Sequence, residues 1–336
     1  MNSYILKLMT VVAIATVVLA SCSKINESVP GNGFRASTEH TGGNAKTHIA
    51  PDWGNDNTTD ILWSENDLIK VANQSGQTGC EVHTYQLTQG ENTTMGLFYT
   101  GEEHENFFEP DYLAIYPAYN SEGVENTISG TTATFHIPAV QRYKENSFGE
   151  GCMPMVSYSE TQSLSFKNLF GGLCVPLTSE VPLMVKRIKL ISFNYYDNLW
   201  GTFTVDCSGS ATNNYGLTCL NTTSCRSVTL DCGDGVLVPD NDSVFFCFML
   251  PPGSINGTGS NQGFKIEVYD MQDELVGELA TIANPNITRN NISLVGTKQY
   301  AYADLDQTSG LLLLCLFAIL TLLFNALKKM IRFQRS

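Results

Sequence analysis

Seven consecutive apolar residues occupy positions 244–250, Val244-Phe245-Phe246-Cys247-Phe248-Met249-Leu250, and Pro251-Pro252-Gly253 follows them directly. Successive side chains of a β-strand point to opposite faces of the sheet, so a strand that is apolar at every position needs an apolar layer on both sides. Proline cannot donate a ladder hydrogen bond and glycine turns the chain, which ends the strand after Leu250. The stretch therefore predicts a central strand that is covered on each face.

The flanking chain alternates apolar and polar residues with a period of two. In residues 264–269, Phe264, Ile266 and Val268 face one way and their polar neighbours face the other. The same alternation recurs in residues 132–137 and 202–205. No long run of helical period occurs within residues 35–305, and polar turn-rich pieces separate the strands. We therefore expect an all-β body built from β-sandwich domains.

The N-terminus is typical of an exported lipoprotein. Residues 1–21 form a signal peptide with Lys7 near its start and an apolar core from Leu8 to Leu19, about a dozen residues that are too few to span a bilayer. The residues Leu19-Ala20-Ser21-Cys22 resemble a bacterial lipobox, which implies cleavage before Cys22 and a diacylglyceryl group on its sulfur. The alternative is ordinary signal cleavage with Cys22 as a chance neighbour. Residues 22–33 then form a linker.

The exported body is strongly acidic. It contains all 33 Asp and Glu residues but 14 of the 19 Lys and Arg residues, a net charge of −19. Such a surface repels nucleic acid and anionic lipid headgroups, so neither is expected as a partner. The whole chain is 43% hydrophobic, which is sufficient for a globular core.

Eight cysteines lie in the exported body, and an oxidising compartment would allow disulfides there. Cys174 and Cys247 lie in apolar runs and are predicted to be buried thiols that pack as small hydrophobic residues. No C-x-x-C pair or zinc-like spacing occurs, so no metal or cofactor is predicted. The densest group, in which we expect disulfides of open connectivity, is Cys207, Cys219, Cys225 and Cys232.

The sequence motifs of common enzymes are missing. The sequence contains no G-x-S-x-G, no H-E-x-x-H, no P-loop and no EF-hand loop. Its five histidines are scattered and do not have the spacing of metal ligands. We therefore expect a protein that is not an enzyme.

Seven short segments form an ordered set over residues 34–300: Phe34–Glu39, Ile61–Val71, Tyr112–Ala118, Phe166–Leu173, Leu199–Phe203, Phe248–Gly253 and Ile287–Asn290. In this order and spacing they resemble the fimbrillin-like proteins of the Bacteroidales, surface lipoproteins that include fimbrial subunits and their anchors. The resemblance implies two tandem transthyretin-like β-sandwich domains, residues 34–160 and 161–305, with a boundary near residues 155–166. It also implies a role in fimbrium assembly or cell adhesion at the outer membrane and cell surface. Other fimbrial subunits or surface proteins would be the partners.

The resemblance further implies assembly by strand exchange. In polymerising members of the family, a protease cuts after an arginine near the start of the mature chain and removal of the first strand opens a groove. A strand of another subunit fills the groove through backbone hydrogen bonds. Arg35 stands where such a cut would fall. The alternative is an ordinary arginine in a first strand, because not all relatives are processed.

The C-terminus departs from the family pattern. Leu311–Leu327 is a run of 17 residues interrupted only by Thr321 and Asn325. It predicts a hydrophobic, transmembrane helix over residues 310–328, with a basic tail at 329–336 on the cytoplasmic side. An outer-membrane lipoprotein cannot also cross the inner membrane, so the protein stays at the inner membrane, or the tail is a removed sorting segment, or it is foreign to the family. A retained tail favours an anchor over a repeating shaft subunit.

A second hypothesis is a monomeric surface module that binds a glycan or a host protein. Tyr195, Tyr196 and Trp200 form an aromatic cluster that could stack on a sugar. Packing in the core is the alternative use of these three side chains.

Overall fold

The computed structural model describes residues 33–39, 61–73, 81–101, 111–145, 147–207, 216–240, 242–295 and 298–300. This part of the chain is all-β, as predicted, and its one helix is the single 3-10 turn Gly259–Asn261. The strands are β1 (Gly33–Ser37), β2 (Leu68–Asn73), β3 (Val82–Gln89), β4 (Met95–Tyr99), β5 (Tyr112–Tyr116), β6 (Thr127–Ser129), β7 (Thr132–Ile137), β8 (Val140–Lys144), β9 (Ser147–Phe148), β10 (Met155–Ser159), β11 (Ser163–Ser165), β12 (Lys167–Asn168), β13 (Gly171–Ser179), β14 (Leu183–Ser192), β15 (Gly201–Asp206), β16 (Leu217–Cys219), β17 (Ser227–Val238), β18 (Ser243–Leu250), β19 (Phe264–Asp270), β20 (Leu275–Thr281), β21 (Ile292–Leu294) and β22 (Lys298–Tyr300).

The described strands form four sheets. An eight-stranded sheet has the order β11-β1-β4-β3-β2-β5-β10-β12, and a six-stranded sheet has the order β20-β19-β14-β17-β8-β9. A four-stranded sheet has the order β16-β15-β7-β6. The remaining sheet has the order β18-β13-β21, and β22 also pairs with β13.

The apolar strand β18 is buried from Phe246 to Leu250, as the sequence predicts. Its side chains divide between two hydrophobic cores. Cys247 and Met249 lie in the core of the eight-stranded sheet, whereas Phe246, Phe248 and Leu250 lie in the core of the six-stranded sheet. The neighbouring strand β13 divides its side chains in the same way. The β13–β18 pair is therefore a layer that is covered on both faces, which explains the unbroken apolar run.

A buried side chain completes the hydrogen bonding of β18 at its outer edge. Gln141 of β8 donates from Nε2 to the carbonyl of Met249 at 2.7 Å, and its Oε1 accepts from the Met249 N–H at 2.9 Å. An edge strand inside a core would otherwise leave both backbone groups unpaired, at a cost of about 1–3 kcal/mol each. The Gln141 side-chain amide thus makes the same two hydrogen bonds to Met249 that the backbone of a neighbouring strand would make.

The disulfide prediction is wrong in its choice of cysteines. Cys174 and Cys247 are joined as a disulfide, because the antiparallel register of β13 and β18 places them directly opposite each other, with Cα atoms 4.1 Å apart. The predicted group consists instead of free thiols: Cys207, Cys219, Cys225 and Cys232. Cys232 lies on β17, in a different sheet from Cys219 on β16, whereas Cys219 and Cys225 both contact Asn221.

Burial raises the pKa of three of these free thiols, which favours their protonated form. Loss of solvent raises the pKa of Cys207 to about 12 and that of Cys232 to about 12, and neighbouring aspartates add to both shifts. The pKa of Cys225 is raised by burial in the same direction. Since the thiolate is the reactive form of cysteine, these side chains serve packing.

The predicted domain boundary does not separate the sheets. β8 and β9, from the predicted first domain, join the six-stranded sheet through the parallel pairing of β8 with β17. Strands from the predicted second domain also pair with strands of the first. β15 pairs antiparallel with β7 over six residue pairs, and β11 and β12 join the eight-stranded sheet. Strands on either side of the predicted boundary near residues 155–166 therefore share hydrogen-bond ladders. Such pairing depends on register between distant strands, which local sequence does not carry.

Within the part of the chain that the structure describes, no helix has both the length and the apolar character needed to cross a bilayer. The predicted signal peptide, the lipidation site Cys22, the linker up to residue 32 and the helix at residues 310–328 lie outside the described residues.

Replacing both disulfide cysteines, Cys174→Ala with Cys247→Ala, should lower the free energy of unfolding by about 2–4 kcal/mol, because the bond closes a long loop in the unfolded chain. Urea unfolding under non-reducing conditions would measure the change. The control is Cys219→Ala, which removes a partly exposed thiol without a bond. Equal stability of the double variant and the control would contradict the disulfide.

Candidate functional site at the first strand

The first strand, β1, lies inside the eight-stranded sheet, next to its edge. It pairs antiparallel with β4 over five residue pairs, from Gly33 opposite Tyr99 to Ser37 opposite Met95. On its other side it pairs in parallel with the short edge strand β11, from Arg35 to Ser37.

Phe34 fills an aromatic slot in the core. Its ring makes edge-to-face contacts with Tyr85 and Tyr112, each with ring centroids 5.0 Å apart, and the side chain is fully buried. The preceding residue must be small, since a Cβ atom at Gly33 would lie 2.7 Å from the ring of Tyr99. The start of β1 is thus a small residue followed by an aromatic plug.

Arg35 lies in β1, partly exposed, as the first-strand interpretation requires. Its backbone N–H donates to the carbonyl of Gln162 at 2.9 Å, and its neighbours pair with β4. A protease binds its substrate as an unpaired extended segment, so cutting after Arg35 requires local opening of β1 or takes place before the strand is in position.

The second half of β1 and the residue that follows it make several long-range hydrogen bonds. Trp63 Nε1 donates to the carbonyl of Ala36 at 3.2 Å, and the Phe166 N–H donates to the carbonyl of Ser37 at 2.8 Å. The Thr38 hydroxyl donates to the carbonyl of Ile61 at 2.7 Å. These bonds all lie after Arg35, so a cut there would separate the slot-filling residues from the anchored ones.

Glu39 ends the anchored half in a charge cluster. Its carboxylate accepts from the Arg289 guanidinium at 2.5 and 3.1 Å and lies 3.4 Å from Lys167 Nζ. Arg289 also donates to the carbonyl of Asn168 at 2.8 Å. A two-point guanidinium–carboxylate pair fixes geometry as well as adding energy. Both Glu39 and Arg289 belong to the ordered motifs, but their pairing across 250 positions had no signal in the sequence.

A cleft lies between segments of the eight-stranded and six-stranded sheets. It has a volume of about 510 Å³ and is lined by residues 66–68, 116–121, 142–144 and 149–151. Asp67 lies at this cleft, 8% exposed, where its carboxylate accepts from the Ser64 N–H at 2.6 Å and from the Tyr116 hydroxyl at 2.8 Å. Asp67 therefore holds the turn before β2.

Burial raises the pKa of Asp67 to about 7, and the negative charge of Glu150 adds to the shift. The hydrogen bonds from Ser64 and Tyr116 and the positive charge of Lys144 act in the opposite direction. Because the folded-state pKa lies above the ordinary value of 3.8, the stabilising contribution of Asp67 is complete below about pH 4 and is lost as the pH rises through about 7.

The predicted aromatic cluster is divided. Tyr195 and Tyr196 are 61% and 81% exposed on the turn that follows β14. Trp200 is partly buried and packs against both hydrophobic cores. The structure thus leaves two tyrosines for surface contacts and gives Trp200 a packing role.

No group of three or more His, Cys, Asp or Glu side chains in the described residues is arranged to hold a metal ion.

Phe34→Ala should lower the free energy of unfolding by about 3–5 kcal/mol, since it empties a buried aromatic position. Ser163→Ala, an exposed change on the neighbouring strand β11, should cost less than about 0.5 kcal/mol. Denaturant unfolding measures both. A loss below about 1 kcal/mol for Phe34→Ala would show that the slot closes without its plug.

Asp67→Asn should remove part of the pH dependence of stability. Between pH 5 and pH 7 the wild type should lose about 2–3 kcal/mol of unfolding free energy relative to this variant, at about 1.4 kcal/mol per pH unit. Tyr116→Phe leaves the Asp67 carboxyl group in place, so this variant should still lose unfolding free energy between pH 5 and pH 7. Urea unfolding across this range tests both, and parallel profiles of the wild type and Asp67→Asn would refute the shift.

No family model matches the chain, and no curated protein matches it. Solved structures similar to it include a proposed cell adhesion protein from Bacteroides uniformis, with 13% identity over 82% of this chain and 95% of that chain at a TM-score of 0.45. A second proposed cell adhesion protein, from Bacteroides ovatus, has 12% identity over 80% and 91% of the two chains at a TM-score of 0.43. The tip fimbrial protein Mfa3 from Porphyromonas gingivalis has 9% identity over 75% and 82% at a TM-score of 0.31. These structures are named as adhesion and fimbrial proteins, the class that the ordered sequence motifs resemble.

Proposed function

We propose that this chain is a cell-surface protein of fimbrium assembly or cell adhesion, and that the first half of β1 is its exchangeable element. The observation that carries the proposal is the division of β1 at Arg35. Phe34 fills a slot between Tyr85 and Tyr112, whereas Ala36 to Glu39 are fixed by side-chain hydrogen bonds and ion pairs. A cut after Arg35 would free the plug and leave the anchor in place.

The slot sets the requirements for an incoming strand. It must run antiparallel to β4, in the register in which Gly33 to Arg35 now lie opposite Tyr99 to Leu97. It must also bring a small residue opposite Tyr99, followed by a large apolar residue opposite Phe98. An empty slot would expose an aromatic cavity, so the cleaved segment stays bound until a better-matched strand replaces it.

A surface location fits the charge of the body. Its net charge of −19 disfavours nucleic acid and anionic lipid, so the partners would be other fimbrial subunits or surface proteins. Until Arg35 is cut, a lipid on Cys22 would tether the chain to the membrane. If the segment at 310–328 is also retained, the chain would be an anchor at the inner membrane instead of a shaft subunit. No step of this role needs a catalytic centre.

Arg35→Ala should block both processing and polymerisation. Mass spectrometry of surface material should find wild-type chains that begin at Ala36 and unprocessed Arg35→Ala chains that carry acyl groups on Cys22. After gentle heating in detergent, the wild type should run as a ladder and Arg35→Ala as a monomer. Arg142→Ala changes another exposed arginine and should behave as the wild type.

Two results would contradict the strand-exchange proposal. One is a wild-type surface protein that is uncut at Arg35 and monomeric. The other is a ladder that Arg35→Ala leaves unchanged.

The second candidate is a monomeric surface module that binds a glycan or a host protein. The exposure of Tyr195 and Tyr196 favours it, because large side chains held in solvent next to an ordered scaffold mark contact surfaces. Binding through this turn and exchange through β1 use different parts of the chain, so one protein can do both.

A further inference from the structure

Two neighbouring tyrosines form an exposed aromatic corner on the turn that follows β14. The rings of Tyr195 and Tyr196 lie 6.0 Å apart and are nearly perpendicular, at 89°. Tyr196 is the more exposed of the two, at 81%. Neither ring is needed to cover a core, so their position requires another explanation.

The turn beneath the corner is rigid because a buried carboxylate holds it. Asp197 is 7% exposed and accepts from the Ser192 hydroxyl at 2.5 Å and from Asn194 Nδ2 at 2.9 Å. It also accepts from the backbone N–H of Ile255, 58 residues away, at 2.9 Å. The Tyr196 N–H in turn donates to Asn194 Oδ1 at 3.2 Å. The two aromatic residues are therefore presented on a preorganised support, which lowers the entropic cost of binding.

A second segment fixes the corner from the side. The Ser224 hydroxyl donates to the carbonyl of Tyr195 at 2.8 Å, and the Arg226 guanidinium donates to the carbonyl of Ser192 at 3.1 Å. The same guanidinium lies 5.9 Å from the centroid of the Tyr195 ring, within the range of a cation–π contact. A positive donor group thus stands beside the two rings.

We propose that this corner is a binding site for a neutral sugar, an inference that rests on the adhesion role proposed above. The apolar C–H face of a pyranose would lie on the Tyr196 ring, while Tyr195 would border the edge of the sugar. The phenol hydroxyls, the Asn198 amide and Arg226 would supply hydrogen bonds to its hydroxyl groups.

Neutral sugar fits better than the other ligand classes. The acidic body would repel uronic and sialic acids, since its net charge is −19. A protein partner would be expected to cover a continuous apolar patch with a buried anchor pocket. Here the polar side chains of Asn194, Ser224 and Arg226 contact the aromatic pair, so hydrogen-bonding groups of the kind that a sugar needs lie beside it.

Affinity electrophoresis of the full chain through gels that contain mannan, xylan or β-glucan tests the proposal, with alginate as an acidic polymer. At least one neutral polymer should retard the wild type, and alginate should not. Tyr196→Ala should weaken the retardation about tenfold, the loss of one aromatic stacking contact, and Tyr196→Phe should keep most of it. The matched control is Tyr119→Ala, a change of another exposed tyrosine, which should run as the wild type.

A mannose-rich glycoprotein, before and after enzymatic removal of its glycans, separates sugar from protein recognition. Binding should disappear with the glycans. Binding that survives their removal, retardation by alginate alone, or equal behaviour of Tyr196→Ala and the wild type on every polymer would each overturn the proposal. Because Tyr196→Ala leaves β1 intact, its processing and ladders should be those of the wild type, so failure here and failure of strand exchange are distinguishable.

Discussion

The β13–β18 pair supplies side chains to two hydrophobic cores at once, and the rest of the described fold is arranged around it. Cys247 and Met249 pack toward the eight-stranded sheet, and Phe246 and Phe248 toward the six-stranded sheet. Because the β13–β18 pair covers both cores, removing it from either core would expose apolar surface in that core. The stability of each core therefore depends on the other. The Cys174–Cys247 disulfide fixes the register of the pair, and the Gln141 amide satisfies its buried outer edge.

Against this fixed centre, the first strand is built in two parts with different attachments. Its second half and the two residues that follow it have side-chain bonds to the segment 61–63 and to Arg289, which ties the start of the described chain to its final strands. Its first half relies on backbone pairing with β4 and on the aromatic contacts of Phe34. Backbone pairing and aromatic contacts are strong, but any strand with matching side chains can make them. A specific ion pair needs one particular charged residue at one position. This difference is the physical basis for proposing exchange at one end of the strand only.

Buried carboxylates hold the segments that carry the proposed functions. Glu39 fixes the exit from β1, Asp67 fixes the turn before β2, and Asp197 supports the exposed tyrosines. A buried carboxylate is costly unless hydrogen bonds offset its lost solvation. Asp197 and Glu39 each accept several hydrogen bonds, and Asp67 accepts two. The turns are thus rigid supports for contacts made at the surface.

The sequence alone determined the β class and the position of the two-sided strand, because both follow from local periodicity. Alternation with a period of two predicts one buried face at Phe264, Ile266 and Val268. The unbroken apolar run at 244–250 predicts two buried faces, and Phe246–Leu250 are buried in the structure. Tertiary structure alone decided which strands share a sheet, which cysteines pair and where Arg289 binds. Residues 73 and 250 positions apart meet in the disulfide and in the Glu39–Arg289 pair, and β8 crosses the expected boundary to join β17. Strand pairing depends on the register between distant segments, and a local pattern of apolar and polar residues fits many partners equally well.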